Sequence, residues 1–301
     1  MNNQIERYAF LWATFLVLLG SICFSAKAVL VKLAYQHNID SVSLMALRMM
    51  FSLPFFLAIG WYSSRQKDKI ALTAREYLLI AALGICGFYL ASLFDFFGLH
   101  YITASLERLV LFTYPTIVLI LGALFLKKRI TKIQYLAVAI TYLGFGIAFI
   151  DNLSFSDHKN IELGVFLVFM AALAYAIYIV GSSNFLARVK TFRYNSIAMT
   201  AACLAVLIHH AIVYNLQLWN FDEQVYLYAV LMAVFSTVLP SFLIIEGISV
   251  IGAGNAAIIS GIGPISTIVL AYIFLGETLS FWQWIGTLLV IGGVLLITVR
   301  K

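Results

Sequence analysis

Long runs of hydrophobic residues separated by short polar connections dominate this chain. Crossing about 30 Å of hydrocarbon takes roughly 20 apolar residues per helix. Ten runs meet this need, at residues 8–34, 42–62, 76–98, 102–126, 132–150, 162–182, 195–214, 225–247, 253–275 and 281–299. The runs are continuous and do not alternate with a period of two, which favours helices over strands. The pattern predicts an all-α integral membrane protein with ten transmembrane helices.

A second pattern is a repeat at an offset of 149 residues. Eight residues of the first copy recur in the second without a gap: Gly98, Ala104, Pro115, Leu121, Phe125, Leu126, Gln134 and Gly144 match Gly247, Ala253, Pro264, Leu270, Phe274, Leu275, Gln283 and Gly293. The chain is therefore predicted to hold two five-helix repeats, residues 1–152 and 153–301. Because five is odd, the second repeat enters the membrane in the reverse sense. Inverted-topology repeats are typical of alternating-access transporters.

Composition agrees with a membrane protein, because only 11% of the residues are charged and the mean hydropathy is +1.00. The net charge of +6 comes from basic loops. Fourteen of the 19 Lys and Arg residues fall on one predicted face: Arg7, Arg65, Lys67, Lys69, Arg75, Lys127, Lys128, Arg129, Lys132, Arg188, Lys190, Arg193, Arg300 and Lys301. Basic loops stay in the cytoplasm, so both termini are predicted to be cytoplasmic, in a multi-pass protein of the cell (inner) membrane. The charge gives no reason to expect a nucleic-acid partner.

Five charged residues fall inside the predicted helices, close to the outer face: Lys27, Arg48, Asp95, Glu107 and Arg108. A charge at the bilayer centre costs at least about 2.5 kcal/mol, so each should face a partner or a wet cavity. This layer holds three positive and two negative charges, which leaves one positive charge for a substrate carboxylate or phosphate. One interpretation is a substrate-binding site or outer gate. The other is a structural network that holds the first four helices together, and the two can coexist.

Other polar side chains at membrane depth are weaker candidates. Glu246 is predicted near the inner face, with Asn255 just beyond the next turn, and could take up a proton or pair with an inner-gate cation. A snorkelling interfacial acid is the alternative. Five tyrosines fall well inside their segments and could line a cavity, offering hydroxyl groups to a polar solute: Tyr89, Tyr114, Tyr175, Tyr178 and Tyr272.

Pro115 and Pro264 occupy equivalent positions in the two repeats. A proline inside a helix removes one backbone hydrogen bond and can kink it, so both are predicted helix kinks. Flexing there and a static kink that shapes the cavity remain alternatives. No spacing of His, Cys or carboxylate residues suggests a metal site, and no cofactor or catalytic residue is predicted.

The whole chain resembles the drug/metabolite transporter superfamily, in its EamA-type branch with ten helices in two repeats. The most specific matching run is Gly252-Ala253, Ala256-Ala257, Gly263-Pro264, Leu275-Gly276-Glu277, Gln283, Gly286 and Gly293. The first copy contributes Gly20-Ser21, Phe24, Lys32, Arg48, Ala104, Pro115 and Leu126-Lys127-Lys128-Arg129. Lys27 and the Glu107-Arg108 pair depart from many members of the family. The resemblance implies a secondary carrier, frequently an exporter of amino acids or other small metabolites.

The sequence therefore predicts a secondary-active transporter, an exporter of small polar metabolites such as amino acids or organic anions. It works by alternating access around a central cavity, with protons as a candidate coupling ion. Its partners are the lipid bilayer and a small-molecule substrate. Two other functions stay open, an intramembrane enzyme and a non-transporting membrane partner. No Gly-Lys-Ser/Thr phosphate loop is found, so ATP-driven pumping by this chain is not expected.

Overall fold

The computed structural model describes residues 2–65, 71–126, 131–155, 160–186, 188–260 and 262–298. Within these ranges the chain is helical. The helices are α1 Asn2–Tyr35, α2 Ser41–Ser64, α3 Ala74–Gly84, α4 Ala91–Gly98, α5 Ala104–Leu111, α6 Tyr114–Leu126, α7 Lys132–Phe155, α8 Ile161–Leu186, α9 Thr191–Tyr214, α10 Glu223–Ala233, α11 Leu239–Ser260, α12 Ile262–Leu275 and α13 Phe281–Thr298. Two short π-helical segments, Ile85–Leu90 and Val234–Val238, join α3 to α4 and α10 to α11.

Seven helical stretches among the described residues are long and apolar enough to cross a membrane, judged by length and composition. They are Tyr8–Tyr35, Ser41–Ser64, Ala74–Gly98, Ala104–Phe125, Ile161–Ser182, Thr191–Tyr214 and Glu223–Ile244. Three shorter apolar helices accompany them, at Lys132–Ala148, Ile262–Leu275 and Phe281–Gly293. The prediction of an all-helical, multi-span chain is confirmed.

One predicted boundary is wrong. The sequence predicts a turn between residues 247 and 253, yet α11 runs through this stretch as one helix, Leu239–Ser260. The first repeat does break at the equivalent place, where Thr103 caps α5 by accepting a hydrogen bond from the Leu106 amide. The residue that matches Thr103 is Gly252, which has no side-chain oxygen for such a cap. The missing cap explains why the helix continues.

Helices α7 and α13 pack antiparallel through glycines, and their contacts come in matched pairs. A Cβ on Gly144 would lie 2.6 Å from the Gly286 carbonyl oxygen, and a Cβ on Gly293 would lie 2.8 Å from that of Ala137. Gly144 matches Gly293 in the repeat, and Ala137 matches Gly286. Each contact is therefore the repeat equivalent of the other. Small residues let these backbones approach closely, as is usual between helices in lipid.

A similar correspondence appears between α1 and α11 and between α4 and α8, with the partner residues on α1 and α8 offset by 151 positions. Gly247 packs against Val17 and the Ala13 carbonyl, and its repeat mate Gly98 packs against Val168 and the Gly164 carbonyl. The two π-helical segments also begin at equivalent residues, Ile85 and Val234. A π-helical turn shifts every residue after it around the helix, which sets the face that α4 presents to its neighbours.

The fourth predicted span is interrupted. Helix α5 ends at Leu111 and α6 begins at Tyr114, with Phe112 and Thr113 between them in a turn. Pro115 is the second residue of α6, where its missing N–H costs no intrahelical bond. Its mate Pro264 is the third residue of α12. Pro115 therefore lies in the first turn of a helix. Gly261, just before α12, lies outside the described residues, and bending at both prolines stays a prediction.

Candidate functional site

Lys27, Asp95 and Glu107, here called the charged cluster, meet in the interior of the protein. They come from α1, α4 and α5. The Lys27 ammonium lies 2.6 Å from an Asp95 carboxylate oxygen and 3.8 Å from one of Glu107. Asp95 is 1% exposed and Glu107 is 0% exposed. One lysine is thus shared by two buried acids. The depth of each residue along its helix does not by itself predict this pairing.

Arg48 on α2 is buried beside the charged cluster and is held by other groups. One guanidinium nitrogen donates a hydrogen bond to the Ser92 hydroxyl at 2.9 Å, and the guanidinium carbon lies 4.8 Å from the centroid of the Phe96 ring. Its Nε has no hydrogen-bond partner in the described part of the chain. Among the described residues no carboxylate forms an ion pair with Arg48.

Arg108 points away from its neighbour Glu107 and lies at the junction of α1, α5 and α12. It donates to the Ser25 hydroxyl at 3.5 Å and lies over the Phe24 ring. A Cβ on Gly263 would come within 2.6 Å of its guanidinium, so glycine leaves room for it. The Ser25 hydroxyl in turn lies 3.0 Å from the Gly263 carbonyl oxygen. Arg108, like Arg48, has no ion-pair partner in the described part of the chain.

Glu277 follows α12 and binds the start of α5, an arrangement here called the Glu277 cap. Its carboxylate accepts hydrogen bonds from the Ala104 amide at 2.8 Å, the Ser105 amide at 3.0 Å and the Ser105 hydroxyl at 2.7 Å. An acid is favoured here because the first amides of a helix have no intrahelical acceptor. Glu277 is not among the residues predicted for the site. The amides that follow Thr103 at the start of α5 lack intrahelical acceptors, which suggests that an acid binds there. The sequence does not indicate which acid.

A pocket of about 370 Å³ opens beside the Glu277 cap. Its lining includes Lys32, Tyr35, His100, Thr103 and Glu277. The His100 ring stacks on Tyr35 with centroids 3.9 Å apart. Burial lowers the pKa of His100, and the nearby Lys32 charge lowers it further. His100 is therefore a neutral ring at pH 7, and the charges that face the pocket are those of Lys32 and Glu277.

Three of the five predicted tyrosines come together, whereas Tyr272 on α12 is exposed. The Tyr114 and Tyr175 rings are 5.1 Å apart, and Tyr175 lies 6.1 Å from Tyr178. Tyr194 on α9, which the sequence analysis did not single out, extends this group with its ring 6.1 Å from Tyr178. Tyr89 lies elsewhere, beside the His209 ring at 5.7 Å.

The inner-face candidates are separate from the charged cluster. Glu246 is exposed on α11. Asn255 lies in the same helix, because the predicted turn between the two is absent, and its side chain falls outside the described residues.

Comparisons with known proteins assign the chain to a family. The model of the EamA-like transporter family matches it twice, at residues 11–150 and 162–299. The uncharacterized transporter YcbK of Bacillus subtilis is 30% identical over 277 residues, covering 91% of this chain and 88% of that protein. An uncharacterized transporter of Synechocystis is 24% identical and covers 95% of this chain and 93% of its own length.

A solved structure, titled only as the crystal structure of a protein, has the same fold. It aligns with a TM-score of 0.65 at 17% identity, over 95% of this chain and 96% of its own. The predicted resemblance is confirmed. With its apolar helices, its two matches to the family model and relatives named as transporters, this chain belongs to the EamA-like transporter family, within the drug/metabolite transporter superfamily.

Proposed function

We propose that the chain is a secondary-active exporter of small polar metabolites such as amino acids or organic anions, working by alternating access. The observation that carries this proposal is the contact of Arg108 with Ser25 on α1 and Gly263 on α12. This places a buried guanidinium between helices of both halves of the chain. A charge kept at membrane depth, at the junction of parts that move against each other, is expected of a substrate or gating group.

We also propose the inverted-repeat architecture, with ten helices, domains at 1–152 and 153–301 and cytoplasmic termini in the cell membrane. The matched contacts of Gly144 with Gly286 and of Gly293 with Ala137 support a two-fold relation between the halves. The two family matches divide the chain at nearly the same place. The antiparallel packing of equivalent helices α7 and α13 fits opposite membrane orientations. Basic residues on one predicted face support cytoplasmic termini.

The substrate class follows from the two arginines. Arg48 and Arg108 are buried and have no carboxylate partner among the residues that the structure describes. A guanidinium presents a fork of donors that suits a carboxylate or phosphate oxygen pair. A substrate with a carboxylate, such as an amino acid or an organic acid, would complete this charge balance. Tyr114, Tyr175 and Tyr178 are proposed to line its path.

We propose that this conformation of the transporter is closed at its outer end. The Glu277 cap joins the loop after α12 to the start of α5, and the charged cluster joins α1, α4 and α5 beneath it. The pocket at Lys32 and Glu277 would then be an outer vestibule. Alternation to the outward-open state requires that the Glu277 cap releases.

Proteoliposomes test the proposal. The purified protein should release preloaded radiolabelled amino acids or dicarboxylates from a panel of solutes, and empty liposomes should not. Replacing Arg108 by Gln should abolish this flux, whereas Arg300→Gln, on the predicted basic face, should leave it unchanged. Absence of flux across the whole panel would argue against the transporter assignment. Equal flux in Arg108→Gln would remove Arg108 from the site.

A further inference from the structure

The two acids of the charged cluster lie beside the same lysine. The Lys27 ammonium lies 2.6 Å from an oxygen of Asp95 and 3.8 Å from an oxygen of Glu107, and both acids are buried. Apart from the Lys27 ammonium, none of their four oxygens has a hydrogen-bond partner in the described chain. One lysine carries a single positive charge, so two ionised acids beside it would leave one buried negative charge without a partner at contact distance. Two like charges so close in a dry interior would also repel strongly.

The surroundings do not supply a second counter-charge at contact distance. Lys27 on α1 is the one cation paired with the acids in the described structure. Arg48 on α2 is engaged with Ser92 and Phe96, and Arg108 on α5 with Ser25 and Phe24.

The remaining titratable groups near the acids bear no charge that could replace the proton. Tyr35 on α1 donates to the Phe96 carbonyl, and tyrosines such as Tyr175 on α8 are ordinarily uncharged at pH 7. The α12 helix contributes the Gly263 backbone to Arg108 and no acid. Asp95, Glu107 and Lys27 thus balance as one ion pair plus one neutral carboxyl.

We propose that Asp95 and Glu107 form a proton-binding dyad, bridged by Lys27, that couples transport to the movement of one proton. The proton belongs to the pair, which titrates as a unit. Its release to the aqueous phase leaves two carboxylates in contact with a single lysine. Their repulsion drives α4 and α5 apart, and this favours opening of the outer end. Uptake of a proton restores the contact and closes it.

Proton binding can be tested without knowing the substrate. Infrared spectroscopy of the protein in lipid nanodiscs distinguishes a protonated carboxyl from a carboxylate. An ordinary Glu with a pKa near 4.3 is about one part in 500 protonated at pH 7. The wild-type protein should therefore show one protonated carboxyl at pH 7 that disappears on further titration with base. A spectrum with no such band at pH 7 would overturn the proposal.

Variants show whether the proton is shared. Either Glu107→Gln or Asp95→Asn should remove the band, because the remaining acid then ionises against Lys27. The matched control Glu223→Gln removes an exposed acid at the start of α10 and should leave the band unchanged. Persistence of the band in Asp95→Asn would show an isolated protonated Glu107, which contradicts a shared dyad. The wild-type titration decides the matter if a variant does not fold.

The coupling step rests on the proposed transporter function. Failure of the coupling can be distinguished from failure of the transporter assignment. Proteoliposomes loaded with a pH-sensitive dye should report proton movement when a solute of the panel is transported. Solute flux without proton movement would overturn the coupling and leave the transporter assignment intact. Absence of all flux would contradict the transporter assignment and with it the coupling, while the infrared band would still report proton binding.

Discussion

Removal of the Glu277 cap is the perturbation whose effect can be worked out most fully. Glu277→Ala deletes three hydrogen bonds to one carboxylate, from the Ala104 amide and from the Ser105 amide and hydroxyl. A hydrogen bond to a charged group contributes about 1.5–3 kcal/mol. Glu277 is partly exposed, so water replaces some of this. A net loss of about 2–4 kcal/mol corresponds to about 30- to 1,000-fold in the ratio of outer-open to outer-closed protein.

Cysteine labelling measures this shift. In a background without Cys23, Cys86 and Cys203, a single Leu99→Cys places a thiol at a position that is fully buried beside the outer pocket. A membrane-impermeant maleimide should react with it at least tenfold faster when Glu277 is replaced by Ala, because only the open form exposes the thiol.

The matched control for this labelling is Glu223→Ala, which removes an exposed acid and should not change the rate. A rate for Glu277→Ala within twofold of the parent would refute the reasoning that the cap holds the outer end closed.

Three further outcomes are expected. Lys27→Met leaves two buried acids without a cation and should lower the thermal unfolding temperature clearly, since breaking a buried pair costs about 3–5 kcal/mol; an unchanged melting curve would contradict the ion pairing. Gly144→Leu should abolish folded protein in size-exclusion chromatography because its side chain meets the Gly286 backbone, whereas Gly146→Leu, which meets nothing within 4 Å, should be tolerated. Arg48→Glu should stop flux in proteoliposomes, and a partner reversal, Asp95→Arg or Glu107→Arg, should not restore it, because Arg48 pairs with neither acid; rescue would indicate a gate ion pair.

The helices could be predicted from the sequence because lipid allows little else. In lipid, a run of about 20 apolar residues satisfies its backbone hydrogen bonds mainly by forming an α-helix. Nearly every helix could therefore be predicted from the apolar runs. The prediction failed at residues 248–252. A glycine by itself does not end a helix, because a capping group must also replace the backbone hydrogen bonds that are lost at the helix end. The prediction left these residues as a turn between two apolar runs, and α11 continues through them.

The location of the buried charges could also be predicted, but not their pairing. Depth along each helix put Lys27, Asp95 and Glu107 in one layer, and they do meet. The rotation of each helix about its axis determines which cation faces which acid. This rotation could not be predicted from the sequence. The Glu277 cap joins residues 173 positions apart and depends on the packing of α12 against α5. Such partners emerge only when the helices are assembled.

The central claim is that the two halves expose one site alternately to each side, and a reversible cross-link tests it most directly. Ser105→Cys and Glu277→Cys place two thiols at the contact between α5 and the loop after α12, the proposed outer end. A short cleavable thiol cross-linker should stop flux of the solute that the panel identifies, and reduction should restore it to the rate of the unlinked double variant. Undiminished flux through the cross-linked protein would contradict alternating access.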